Sequence, residues 1–280
     1  MLADASTDDD VALGMSAFRP IAGVAIAPRS DGFGPVVSVC NGHYPSQKKL
    51  KGAWMADPVH LHGYRYSVYN RIARLVLLSK KVEHRTIEVD PFAELSEEYL
   101  LLHPFGRVPV LTHGAFRLFE TSAITRYVDR AFKGRPLQPD SAAALARMDQ
   151  VIAVIDAYAY WPMVRQVSSH GFFRPDLGEP SSREEVEAGL EASRKVLSLL
   201  DGVAREGEVL TGHDITLADL HLAPMMDYFV RAEEGKAALS PHLALQRWWE
   251  RASGLDVLKA TDPFTVQTAS KMTGNSVPRS

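Results

Sequence analysis

Pro109 falls where a β-strand should already be under way. It sits in "HPFGRVPVL", residues 103–111, between Val108 and the apolar pair Val110 and Leu111. Proline carries no backbone N–H, so a paired strand accepts it only at its start, on an edge or at a bulge. Two conformations meet that demand. A trans proline opens an edge strand, or a cis Val108–Pro109 bond folds the chain sharply back before the strand begins. The local residues leave both open, so the choice rests on what surrounds them.

Hydrophobic periodicity supplies the surroundings. "VHLH" (59–62) alternates as a strand does, and within 68–80 Ile72, Leu75 and Val76 take the i, i+3, i+4 spacing of an amphipathic helix. "HRTIEVD" (84–90) alternates again, and a short helix is expected over 94–102. Val108–Thr112 and Phe116–Phe119, joined through His113-Gly114, read as a hairpin. Ile124, Tyr127, Val128 and Ala131 then place a helix over 121–132. The order β-α-β-α-β-β-α, with a right-handed crossover between the first two strands, is a thioredoxin-like plan. In such a plan a cis proline turns the backbone N–H and C=O of Val108 towards a ligand, much as an added strand is received. "FKGRPLQPDS" (132–141) is a linker, and helices are expected over 142–172, 182–205, 216–230 and 242–253. The fold class is α/β plus all-α: a thioredoxin-like domain at 55–135 followed by an all-helical domain at 142–262.

The ends read differently. Residues 1–54 combine acidic, turn-rich and aperiodic stretches, and are expected to be a disordered extension or to precede a true start at Met55. The acidic run Asp8, Asp9 and Asp10 speaks against a secretory or transit signal. The polar tail 263–280 is expected to be flexible. A net charge of −3 argues against a nucleic-acid partner held by bulk charge. No apolar run approaches the roughly 18 residues of a membrane span, so no membrane partner is expected. The single cysteine, Cys40, forbids a Cys-x-x-Cys pair and fits a reducing, cytoplasmic setting. His60 and His62 share a strand face, but two ligands at i, i+2 without a visible third do not make a metal site.

Two helix starts carry candidate chemistry. Glu120 and Thr121 open the helix after the hairpin, where free N–H groups and the helix dipole favour a carboxylate, while Glu120 suits an ammonium group. The same pair also reads as ordinary helix caps. Ser67 stands where the first strand gives way to the first helix. On local grounds it too is an N-cap, accepting from the Asn70 amide.

Taken together, "HPFGRVPVL", "LFETSAITRYV" (118–128) and "LTGHDITLADLHLAP" (210–224) resemble the three landmarks of the soluble glutathione S-transferases, over roughly residues 59–255 and in the same domain order. The resemblance implies that the Val108–cis-Pro109 turn pairs with the cysteinyl backbone of glutathione. Glu120 and Thr121 would hold its γ-glutamyl end, with Thr121 in place of the usual serine. Ser67, four residues after Gly63, looks like the serine of the phi and theta classes, which donates a hydrogen bond to keep the sulfur a thiolate. Asn70 or Arg71 would help, and Tyr64, Tyr66 and Tyr69 are rivals because other classes use a tyrosine in this region. Thr216 and Asp219 resemble the family's buried capping box.

Serine-type plant members hold the glycyl carboxylate with a His-Lys pair. Here the stretch carries Glu94 to Glu98, which repel a carboxylate and leave Arg107 as the candidate. A small apolar electrophile is expected between the domains, against Tyr158, Trp161 and Arg165 on a helix bent by Pro162. "RWWERAS" (247–253) is expected to pack the helical domain. The implied function is a detoxifying, homodimeric glutathione transferase with glutathione as co-substrate and no metal. A glutathione-dependent peroxidase, dehalogenase or isomerase is the alternative on the same site. A non-catalytic protein-interaction module is the alternative of another class, and the presence of Ser67, Glu120 and Thr121 weighs against it.

Overall fold

The computed structural model describes residues 57–265; the expected extension 1–54 lies outside the described residues. The first domain runs β1 (Val59–Gly63), α1 (Val68–Ser79), β2 (Arg85–Glu88), α2 (Glu97–Leu102), β3 (Val110–His113), β4 (Phe116–Phe119) and α3 (Thr121–Ala131). The sheet order is β2-β1-β3-β4, with β1 parallel to β2, antiparallel to β3, and β3 antiparallel to β4. This is the thioredoxin-like plan.

Alternation along the strands sorts their faces. Val59, Leu61 and Gly63 of β1 are buried, and Leu61 joins Leu111 of β3, Ile72, Leu75 and Val76 of α1, and Ile124 and Val128 of α3 in one core. On the other face the His62 ring lies 6.5 Å from that of Tyr99 in α2. The hairpin turns at Gly114, with φ +56° and so close to Asp57 that a Cβ would stand 2.4 Å from its carboxylate. β3 starts at Val110 rather than Val108, because Pro109 has no N–H to give a ladder.

In the second domain α4 (Ala142–Val154) passes without a break into α5 (Ile155–Phe173), which holds Pro162 and winds wider than an α-helix. The Arg174 N–H, for example, reaches the Ser169 carbonyl. Such winding is frequent beside functional clefts. α6 (Arg183–Glu206), α7 (Leu217–Phe229), α8 (Glu233–Leu239), α9 (Leu243–Ala252) and α10 (Asp256–Ala260) follow. At the start of α7, Asp219 Oδ2 accepts from the Thr216 N–H at 2.8 Å and its hydroxyl at 2.7 Å. Its Oδ1 accepts the Trp248 indole N–H at 2.8 Å, so α9 is fastened to the capping box.

The two domains are joined by buried charge as well as by apolar packing. Asp129 of α3 takes Lys80 Nζ at 2.9 Å and the Leu137 N–H at 2.9 Å, which pins the linker. One expectation is corrected here. Arg71 does not assist Ser67: its guanidinium is 1% exposed and engaged by Asp227 (2.6 Å), Thr261 Oγ1 (3.3 Å) and the Leu258 carbonyl (3.0 Å). A buried guanidinium has to find such partners. At the start of the expected flexible tail, Phe264 packs against Tyr66 (5.8 Å), Phe172 (5.3 Å) and Tyr228 (5.5 Å). Residues 266–280 lie outside the described residues.

Candidate functional site

The site begins where β1 meets α1. Gly63 lies so close to α1 that a Cβ would stand 2.2 Å from the Asn70 side-chain oxygen. Asn70 Nδ2 donates to the Tyr64 carbonyl at 3.0 Å and fixes the intervening loop. Ser67, half-buried, caps α1 by accepting the Asn70 N–H at 3.3 Å. A hydroxyl has two lone pairs and one proton. Capping occupies a lone pair and leaves the O–H to donate elsewhere, so the cap and the thiol donor are compatible roles.

The register brings three segments to one end of the sheet. His62 pairs with Val110, and Val110 pairs with Phe119. The loop bearing Ser67, the turn ending at Pro109 and the Glu120-Thr121 pair therefore emerge side by side. The Val108–Pro109 peptide bond is cis, and half-buried Val108 precedes the paired stretch. The Tyr99 hydroxyl donates to the Arg107 carbonyl at 2.7 Å, tying α2 to this turn, while the Arg107 side chain is exposed. His103 is buried, accepts the Phe105 N–H on Nδ1 at 3.3 Å and lies 4.7 Å from the Phe119 ring. Burial lowers its pKa against the opposing pull of Glu120, so the imidazole is neutral at pH 7. Glu120 is exposed with φ +68°, a region that costs a non-glycine residue about 1–3 kcal/mol. It stands at the start of α3 beside buried Thr121.

The helical domain supplies the opposite wall. Tyr69, two residues past Ser67, stands near Asp156 of α5; burial and that carboxylate push the phenol far above its ordinary pKa. Asp156 Oδ1 also meets His221 Nε2 at 2.7 Å, and wholly buried His221 has no partner for Nδ1 among the described residues. The Tyr160 ring is 4.8 Å from that of Tyr69. Its hydroxyl stands near the Arg165 and Arg107 charges, yet burial wins and raises its pKa. The Arg165 guanidinium carbon is 6.0 Å from the ring centres of both Phe92 and Trp161. Arg165 thus lies near both Phe92, in the loop after β2, and Trp161. Tyr158 is 64% exposed, and no ring contact among the described residues ties it to them. Sequence reasoning misses Phe92, Asp156, Tyr160 and His221. The available signal is a carboxylate and a histidine inside the otherwise apolar runs "VIDAY" and "LHLAPMM".

The glutathione S-transferase N-terminal domain family matches residues 61–136, and the C-terminal domain family matches residues 131–256. Glutathione S-transferase F11 of Arabidopsis thaliana is 31% identical over 186 residues, 64% of this chain and 85% of that one. The chain belongs to the glutathione S-transferase family. Glutathione S-transferase F10 of the same plant is 29% identical over 186 residues, 65% of this chain and 86% of that one. These relatives fit the serine-type, phi-like resemblance. The crystal structure of glutathione transferase F2 from Populus trichocarpa shares the fold, with a TM-score of 0.64 at 24% identity over 76% of this chain and 100% of that one.

Between β2 and α2 lies a cavity of about 380 Å³ whose lining includes His62, Glu88, Asp90, Glu94, Glu98 and Tyr99. Carboxylates there repel an anion. Arg107 and Arg165 are cations on the other borders of the cleft. Among the described residues no cluster of three or more His, Cys, Asp or Glu is set to hold a metal ion, and no helix is long and apolar enough to cross a membrane.

Proposed function

We propose that Ser67 activates the thiol of bound glutathione, and that Arg107, Val108, Pro109, Glu120 and Thr121 hold the tripeptide. The protein is a glutathione S-transferase: it joins the glutathione sulfur to an electrophilic carbon. The cysteinyl N–H and C=O pair with the backbone of Val108. The γ-glutamyl carboxylate meets the free amides at the start of α3, and its ammonium meets Glu120. The Ser67 O–H donates to the sulfur, and the α1 N-terminus adds its dipole, so the thiolate persists near pH 7. The thiol proton passes to solvent and the sulfur attacks. Orientation of the two reactants supplies much of the rate.

One observation carries this reading: the convergence of the Ser67 loop, the Pro109 turn and the α3 start at one end of the sheet. The engagement of Tyr69 by Asp156 favours Ser67 over that tyrosine. A small electrophile with an apolar or aromatic body would lie between Phe92, Trp161 and Arg165, with Tyr158 at the margin. The working unit would be the domains 55–135 and 142–262, acting in detoxification in the cytoplasm. Exposed Leu101, Phe105 and Phe116 beside the β4 edge support a homodimer. Sedimentation of the intact protein checks it, a monomer at micromolar concentration being the adverse result.

The deciding experiment is an ultraviolet thiolate titration of bound glutathione, with Ser67→Ala beside the wild type. The expected result is a bound thiol pKa well below the ordinary thiol value of about 8.5, returning towards it in the variant. A depression that survives Ser67→Ala removes the serine from the mechanism.

A further inference from the structure

Arg165 is a cation offered to the cleft. Arg71, by contrast, is spent on Asp227. Among the described residues no carboxylate lies within ion-pair distance of Arg165, and its side chain is exposed. Its position is nonetheless defined. Phe92 and Trp161 flank the guanidinium, and the Tyr160 hydroxyl stands near it. Tyr160 is itself held by packing on Tyr69, two residues from Ser67. An oriented guanidinium with free donors, at the mouth of a cleft whose facing α2 side is acidic, is a receptor for a planar anion.

We propose that Arg165, braced by Tyr160, binds a carboxylate carried into the cleft by one of the two molecules being joined. The proposal rests on the transferase reading of the same cleft. Two molecules can bring that carboxylate. One is glutathione, whose glycyl end is repelled by Glu88, Asp90 and Glu94 and turns to the helical domain for its cation. The other is an aromatic acceptor bearing an acid group, its ring lying against Phe92 or Trp161. With 4-chloro-3,5-dinitrobenzoate, for example, the thiolate adds to the chlorine-bearing carbon. The S–C bond forms, the C–Cl bond breaks, chloride leaves with the bonding pair, and the thiol proton goes to solvent.

The test uses the full chain as wild type, Arg165→Gln, Arg165→Lys and Tyr160→Phe. Steady-state kinetics compare glutathione with its glycyl ethyl ester, and 1-chloro-2,4-dinitrobenzene with 4-chloro-3,5-dinitrobenzoate. Loss of a charged hydrogen bond predicts about a tenfold rise in KM for the partner that carries the carboxylate. The blocked or neutral counterpart should lose less, about threefold at most, because it meets Arg165 without a charge, with partial recovery in Arg165→Lys and a smaller loss in Tyr160→Phe. Selective loss for free glutathione assigns the glycyl end, and selective loss for the benzoate assigns the acceptor; either supports the proposal. Equal losses for charged and uncharged partners, or none, overturn it while leaving the transferase reading intact. A wild type that neither binds glutathione by calorimetry nor conjugates any acceptor overturns both.

Discussion

α1 meets the helical domain through two polar seams, and the seams differ in how completely their groups are satisfied. Arg71 reaches Asp227, which also accepts from Arg231 at 3.0 Å, and Arg231 continues to Asp262 at 3.0 Å. The Arg231 guanidinium lies 4.5 Å from the centre of the Phe264 ring, which covers it. Half a turn earlier, Tyr69 reaches Asp156 and His221, but there the carboxylate is partly exposed and one imidazole nitrogen is left unpartnered. The closed seam spends its charges on one another and holds the domains together. The open seam borders exposed aromatic rings and an uncommitted arginine, so it keeps capacity for a ligand. Stability and binding are drawn from the same helix, two residues apart.

The largest expected effect breaks the closed seam. Arg71→Met leaves Asp227 and the Leu258 carbonyl short of a buried donor, and should cost about 3–5 kcal/mol in denaturant unfolding. A loss under about 1 kcal/mol would show that the seam is not a lock. Tyr69→Phe strikes the open seam, where Asp156 keeps His221 as a partner. The expected cost is about 1–2 kcal/mol, with the bound-thiol pKa still depressed. Should that depression vanish, Tyr69 rather than Ser67 is the thiol donor and the division between the seams fails.

The smallest effects are in pH, and their signs separate the seams. Burial alone would raise the Asp262 carboxyl, but the Phe264 N–H and Arg231 hold it below the usual range. A depressed acid stabilises above its unfolded pKa of about 3.9, and that contribution is lost as pH falls through the folded value. The closed seam should therefore weaken in acid, and Asp262→Asn should flatten the loss. The Tyr69 phenol is shifted up, so its contribution is present below about pH 10 and is lost as pH rises through the folded value. Parallel unfolding curves for wild type and Asp262→Asn across the acid range, and for wild type and Tyr69→Phe across the alkaline range, would remove the contrast.

Much of the fold was legible because it is written in period and punctuation. Ile72, Leu75 and Val76 announce α1, the alternation of 59–62 announces β1, and Thr216 with Asp219 announces the start of α7. These signals are local, since each depends on residues within a few positions. The Ser67 cap was legible for the same reason. The cleft wall was not. His221 meets Asp156 across 65 positions of sequence, and Arg71 meets Asp227 across 156. Nothing near Arg71 distinguishes a helper of Ser67 from the anchor of another domain.

The order of elements, the split into a mixed-sheet domain and a helical one, and the hydroxyl and carboxylate groups at the helix starts all follow from local sequence signals. Which charges cancel and which remain follows only from how the chain packs. A cation's role depends on whether a carboxylate lies within a few ångströms when the domains dock, and Coulomb attraction at such range acts between neighbours in space, wherever they stand in the chain.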